Sequence, residues 1–278
     1  MTRDLPAVPS SSLPIAISHD YLTQRGGAER VVLALLAAFP QAVTHCALYE
    51  PSRTYPDFEG HDVRPLIIDR VTAIRRNHRL GLPVTAPAFR MRRVEAPAVL
   101  CSSSGWSHGI RTTAPKVVYC HSPARWLYRP NGYLRHFGRV ARAGLRVASR
   151  QLVRWDQAAM QGADRIVVNS STIAREVRET YGRDSEIVPP ASTIDPCGPQ
   201  EPIPDLEPGF WLLVSRLLGY KRLDVMLEAA RRRPDERFVV VGEGPHGGVL
   251  RSGAPPNVRF LGTISDARLR WAYSRCAA

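Results

Sequence analysis

Trp211 to Pro245, WLLVSRLLGYKRLDVMLEAARRRPDERFVVVGEGP, reads as strand, basic turn, helix, strand and glycine turn. Trp211 to Val214 is a short apolar run suited to a buried parallel strand. Arg216 and Lys221 follow at its C-terminal end, the edge at which open α/β sheets bind ligands. Asp224 is placed to cap a helix from about Val225 to Arg233, which Pro234 stops. Phe238 to Val241 is a second buried strand, closed by Gly242-Glu243-Gly244-Pro245. An arginine grips phosphate oxygens bidentately, a lysine adds a point charge, and glycine lets a backbone approach closely. The two cations read equally well as solvated loop charges or as a diphosphate site.

The same grammar extends toward the N-terminus. Pro14 to Ser18, Val43 to Leu48, Val63 to Ile68, Ala98 to Cys101, Val117 to Cys120 and Arg165 to Asn169 are short strand-like runs. With helices or turns between them they predict a doubly wound α/β domain. The first run leads through His19-Asp20-Tyr21 and TQRGGAER into a helix whose Val31, Val32, Leu35, Leu36 and Phe39 share one face. Strand, glycine loop and helix N-terminus make an anion-ready corner, although Gly-Gly before a helix also serves as a plain turn. The run ending at Cys120 opens into His121-Ser122-Pro123-Ala124-Arg125-Trp126. A histidine there either hydrogen-bonds a substrate or packs as a loop residue. A further helix is expected to end at Tyr181, with Gly182 after it, and the last helix to begin after Ser265 or Asp266 with Leu269, Ala272, Tyr273 and Cys276 on one face.

The chain has 278 residues and a formal net charge of +13. Arg70 to Trp155 holds 17 basic residues against Glu95 alone, and the rest of the chain is slightly acidic. Anionic partners follow. Gly132 to Trp155 reads as a helix with an apolar face opposite Arg135, Arg139, Arg142, Arg146, Arg150 and Arg154. Those arginines fall within about 120° of arc. They read as a face for an anionic membrane or as a solvated face. Nucleic acid fits less well, because no aromatics alternate with the arginines. The N-terminus lacks the apolar core of a signal peptide and no apolar run is long enough to span a bilayer. The five cysteines show no CxxC spacing and sit mostly in apolar runs, which suits reduced, buried thiols in a cytoplasmic protein.

HDYLTQRGGAERV, VVYCHSPARWLY, RWDQAAMQGADRIVVNSSTIAREVRETYG, IVPPASTID, VSRLLGYKRLDVMLEAA, VVVGEGP and NVRFLGTISDARL follow one another in this order. Together they resemble the retaining GT-B glycosyltransferases of family 4, in particular the mannosyltransferase-like subgroup. The resemblance implies two facing Rossmann-like domains. The first, at 13–190, takes a glycan or lipid-linked acceptor; the second, at 209–278, takes a nucleotide-sugar such as GDP-mannose. Residues 1–12 are then a disordered tail and 191–208 a linker. By the same resemblance Arg216 and Lys221 hold the donor diphosphate, Gly27 turns its N–H to the departing phosphate, and His121 lies beside the donor sugar. Asp20 and Arg125 lie in matching motifs, as candidates for touching the acceptor or supporting residues that do. No cofactor and no metal are expected, since no Asp-x-Asp signature is present. The basic first domain suits the inner face of a membrane.

The sequence departs from the family pattern at its end. It stops at Cys276-Ala277-Ala278, before a Glu-x7-Glu segment in which the resemblance places the groups that hold sugar and ribose. The expectation is an incomplete second domain, an open edge on the strand at Trp211 to Val214, and weak or absent turnover. Two other readings stand beside the transferase: a non-catalytic module that binds an anionic surface or acceptor, and another GT-B enzyme such as an epimerase.

Overall fold

The computed structural model describes residues 14–76, 78–129, 139–191 and 194–278. The chain forms two compact units, residues 1–193 and 194–278.

The first unit is built on a seven-stranded, wholly parallel sheet in the order β3-β2-β1-β4-β5-β6-β7. The strands are β1 (Ala16–His19), β2 (Val43–Cys46), β3 (Val63–Pro65), β4 (Val99–Ser103), β5 (Lys116–Cys120), β6 (Arg165–Val168) and β7 (Glu186–Ile187). The helices between them are α1 (Gly27–Ala38), α2 (Thr72–Arg76), α3 (His78–Met91), α4 (Arg125–Tyr128), α5 (Arg139–Gln161) and α6 (Ser171–Tyr181). Alternate side chains on a strand face opposite ways, and β1 feeds two cores. Ile15 and Ile17 pack with Val32 and Leu36 of α1. Ala16 packs into the larger cluster with Ala86 and Phe89 of α3 and Met160 of α5. Helices on both faces of a parallel sheet make the unit doubly wound. The order reverses between β1 and β4, so the crevice outside their carboxyl ends is the place for a ligand.

Individual elements differ from expectation for local reasons. The run at 63–68 stops as a strand at Pro65 and continues as a 3₁₀ turn, Ile67–Arg70. The arginine-rich helix runs on past Trp155 to Gln161, because no glycine or proline stands between Trp155 and Gly162. Its expected start at 132–138 lies outside the described residues. Ser170 caps α6 by accepting from the Ile173 N–H, and Gly182 takes the left-handed conformation after it, φ 63°.

The second unit holds β8 (Trp211–Val214), β9 (Phe238–Val241) and β10 (Val258–Gly262) in the parallel order β10-β9-β8. Its helices are α7 (Leu223–Arg232), α8 (Gly247–Ser252) and α9 (Asp266–Arg275). Val239 and Val241 face a cluster with Phe210, Leu269 and Trp271, and Val240 faces Leu217 and Leu223 on the other side. The proline-rich stretch read as a linker carries no regular element from 194 to 208. Its Ile203 and Leu206 are nevertheless buried in the first of those clusters, so it contributes to the packing of this unit. On α9 the buried face is Leu269, Trp271 and Ala272, while Tyr273 is exposed. Stacking of the Trp271 ring on Phe210 selects that face. Asp224 does not cap α7. Arg222 occupies the N-cap position with a left-handed backbone and pairs with the Asp224 carboxylate at 3.0 Å, so Asp224 lies inside the first turn of the helix rather than ahead of it. Strand β8 is an edge strand whose Leu212 N–H donates to Ala278 O, while Ala277 N–H donates to Phe210 O.

Candidate active site

In the first unit, the site forms where β1, β4 and β5 end. Residues His19 and Ser102 are register partners across β1 and β4. His121 is the first residue past β5, and its N–H donates to Ser103 O at 2.8 Å. Nε2 of His121 lies 2.8 Å from Ser102 Oγ, and Asn169 Nδ2 donates to the His121 carbonyl at 3.2 Å. The ring meets Tyr119 edge-on, with centroids 5.1 Å apart. Burial and the nearby His19 charge push the His121 pKa down to about 4, so the imidazole is neutral at physiological pH.

Gly27 is the first residue of α1. A side chain there would meet nothing within 4 Å, so neither packing nor backbone angle calls for glycine; the space is open for something else to approach. The helix N-terminus also carries an acid that sequence reading overlooked. Glu29, in the first turn, is almost wholly buried and accepts from Gln24 Nε2 at 2.9 Å. Its carboxylate folds back over Gly26, where a Cβ would sit 2.5 Å from Oε2. Gly26 as cap and Glu29 three residues on have the spacing of a capping box.

Asp20 is buried. Its oxygens accept from the N–H groups of Ser104 at 2.6 Å, Trp106 at 2.7 Å and Ser107 at 2.9 Å. Asp20 thus organises the loop after β4. Arg125 is exposed at the start of α4, beside a groove of about 360 Å³ lined also by Tyr128, Arg129, Gln157 and Glu176. Beneath the loop lies a cluster that sequence reading also missed. Ser103 Oγ is 2.9 Å from His108 Nδ1, and Asp156 Oδ2 accepts from Tyr128 OH at 2.7 Å. His108 Nε2 approaches Asp156 Oδ1 at 3.1 Å without a linear hydrogen bond. All three members of this Ser-His-Asp arrangement are buried, so it serves as scaffold. The signal for it was SSSGWSH, residues 102–108, which runs from the end of β4 into the loop after it and holds both Ser103 and His108.

Of the arginine stripe, Arg139, Arg142 and Arg146 lie within α5, Arg150 and Arg154 are exposed there, and Arg135 falls outside the described residues. Among the described residues, no helix is long and apolar enough to cross a membrane.

In the second unit, Arg216 and Lys221 are both exposed past the carboxyl end of β8. Backbone bonds hold the loop that bears them. Ser215 N–H donates to Val241 O at 3.0 Å, and Leu217 N–H to Glu243 O at 3.0 Å. These bonds need the glycine turn. A Cβ on Gly242 would stand 2.1 Å from Ser215 O, and one on Gly244 would stand 2.4 Å from Leu217 O. The glycines therefore serve contact between the two loops. An opening of about 560 Å³ borders Glu243, Gly244 and Arg251 at the same edge.

A parallel sheet in this order, with a histidine and a glycine helix start at its switch point, is joined in one chain to two cations on a clamped loop at the edge of a second parallel sheet. Residues 25–194 match the profile of glycosyltransferase family 4. The chain belongs to that family. By fold it is similar to the crystal structure of Anabaena HepE in complex with UDP-glucose, at 15% identity and a TM-score of 0.60 over 94% of this chain and 72% of that one. The HepE structure with UDP and glucose aligns at 14% identity, TM-score 0.60, over 95% and 72%. At such identities the likeness establishes the fold, which is that of the GT-B glycosyltransferases. No curated protein matches the chain by sequence.

Proposed function

We propose that this family-4 glycosyltransferase transfers a sugar from a nucleoside-diphosphate donor to a glycan or lipid-linked acceptor, with retention of configuration and without a metal. The observation that carries this reading is the pair Arg216 and Lys221, exposed on a loop that Gly242 and Gly244 clamp against its neighbour. Breaking the C1–O bond of a nucleotide-sugar leaves a diphosphate with growing negative charge. Cations fixed by backbone bonds meet that charge without reorganising, and two of them do the neutralising work of a divalent ion. The Gly27 N–H at the start of α1 adds a donor backed by the helix dipole. A neutral His121 donates to the sugar without competing for the diphosphate. Attack from the face the diphosphate leaves, through an oxocarbenium-like state, keeps the anomeric configuration. Arg125 and its groove are assigned to the acceptor.

The donors to try first are UDP-glucose, because HepE was crystallised with it, and GDP-mannose, because the motifs resemble the mannosyltransferase-like subgroup. The stripe from Arg135 to Arg150 is assigned to an anionic membrane surface, where a lipid-linked acceptor would reside. A non-catalytic module is disfavoured by family membership. The test is turnover: the protein is incubated with each donor, an acceptor mixture and EDTA, and nucleoside diphosphate and product are followed by NMR. Diphosphate release with an anomeric coupling unchanged from donor to product supports the reading. Inverted product, or turnover that EDTA abolishes, contradicts it.

A further inference from the structure

The polar contacts around His121 fix where its proton sits. Ser102 is wholly buried at the end of β4. His19 Nδ1 lies 3.1 Å from the Ser102 carbonyl oxygen and 3.1 Å from Ser102 Oγ. A carbonyl oxygen accepts and never donates, so His19 Nδ1 carries a hydrogen. That N–H is shared between the carbonyl and the hydroxyl oxygen, and Ser102 Oγ therefore receives from His19. Ser102 Oγ lies 2.8 Å from His121 Nε2, which can accept the hydroxyl's own hydrogen. In that arrangement Nε2 is a lone pair, and the ring proton of His121 is on Nδ1. Among the described residues no hydrogen-bond partner for His121 Nδ1 is found.

We propose that Ser102 and His19 are positioning residues that hold His121 as the Nδ1–H tautomer, so that Nδ1–H is the donor offered to a sugar hydroxyl. This rests on reading His121 as the residue beside the donor sugar. The second ring nitrogen of a functional histidine is set by the hydrogen bond the first one makes. Here the relay runs His19 Nδ1–H to Ser102 Oγ, then Ser102 Oγ–H to His121 Nε2. The scaffold beneath it is held independently. Ser102 O accepts from Ser107 Oγ at 3.0 Å, Ser103 O accepts the His121 N–H, and Ser103 Oγ is engaged by the buried His108. The charges facing the ring are those of His19, which disfavours imidazolium, and Asp20, which favours it; burial outweighs both and keeps the ring neutral.

The experiment is ¹⁵N–¹H long-range correlation NMR on the full chain with ¹⁵N-histidine, the His121 signal being assigned by its loss in His121→Gln. Wild type is expected to show a protonated Nδ1 and an unprotonated Nε2 for His121 at pH 7.5. Ser102→Ala should give a mixed or Nε2–H pattern and lower kcat about tenfold with the donor KM within twofold. His19→Ala should do the same, and His19→Asn, whose side-chain amide reaches the place of Nδ1, should restore the wild-type pattern. An Nε2–H pattern in wild type overturns the proposal, as does an unchanged pattern in both Ser102→Ala and His19→Ala. Full turnover by His121→Ala would overturn the sugar-facing reading instead, and it shows in a separate measurement.

Discussion

Asp20 accepts three backbone N–H groups from one loop, and that commitment sets what its replacement does. Asp20→Asn exchanges one acceptor oxygen for a donor and faces it with N–H groups. The expected cost is about 3 kcal/mol, read as a lower urea midpoint with unchanged slope. A single residue also makes the fold acid-sensitive. His45 is buried on β2, and burial, then the charges of Arg92 and Arg64 against that of Asp62, lowers its pKa from 6.5 to about 4. The folded state therefore binds fewer protons than the unfolded state between those values. Stability is full above about pH 6.5 and falls as pH drops toward 4. From pH 7.5 to 5 the loss is on the order of 2 kcal/mol for this group, and His121 adds to it in the same window. Urea titrations of wild type and His45→Gln at the two pH values check this; the variant should lose less. Neither role could be read from the sequence. Asp20 stood in a recognisable motif, but its partners are amides 84 to 87 residues away. The burial of His45 depends on a sheet face that a four-residue strand does not reveal.

Whole elements were more legible, because strands of a parallel sheet write continuous apolar runs. β8 and β9 have the bounds that WLLV and FVVV suggest, and all four residues of β9 are buried; β8, expected to be buried as well, is instead an edge strand with Trp211 and Val214 exposed. The second strand order, β10-β9-β8, is the first half of the order expected for such a unit. Helix α3 was not legible. Its sequence, HRLGLPVTAPAFRM, holds a glycine and two prolines, and propensity argues against a helix. Burial of Ala86 and Phe89 in the main core outweighs propensity there. The start of α7 was misread for the opposite reason: Asp224 has the chemistry of a cap, but Arg222 takes it as an ion-pair partner. The clamp between the loops after β8 and β9 yields a sharp prediction. Gly242 has φ 125° and no room for a methyl group. Gly242→Ala should destabilise the second unit by about 3 kcal/mol or more. Thermal unfolding followed at the tryptophans, with Trp211 and Trp271 as reporters in this unit, should show a transition moved to lower temperature.

At the scale of the molecule, the charge is segregated. The 38 basic residues outnumber the acids by 13, and the excess is concentrated in residues 70–155. That region is assigned to an anionic surface. Co-sedimentation with vesicles rich in anionic lipid should fall at least threefold between 50 and 300 mM salt, and charge reversal of Arg139, Arg142 and Arg146 together should remove most of it, at about 1 kcal/mol per side chain. Salt-insensitive binding would count against an electrostatic face. The central claim is narrower: the transferred sugar's diphosphate rests on Arg216 and Lys221. Family membership reached the reading through residues 25–194, whereas both cations lie outside that span. Isothermal titration of the full chain with UDP and with GDP addresses them directly. At least one nucleotide should bind, and Arg216→Ala and Lys221→Ala should each weaken it about tenfold, or about 1.4 kcal/mol, with thermal stability unchanged. Binding that survives both substitutions, or no binding of either nucleotide by the folded wild-type chain, would contradict this claim.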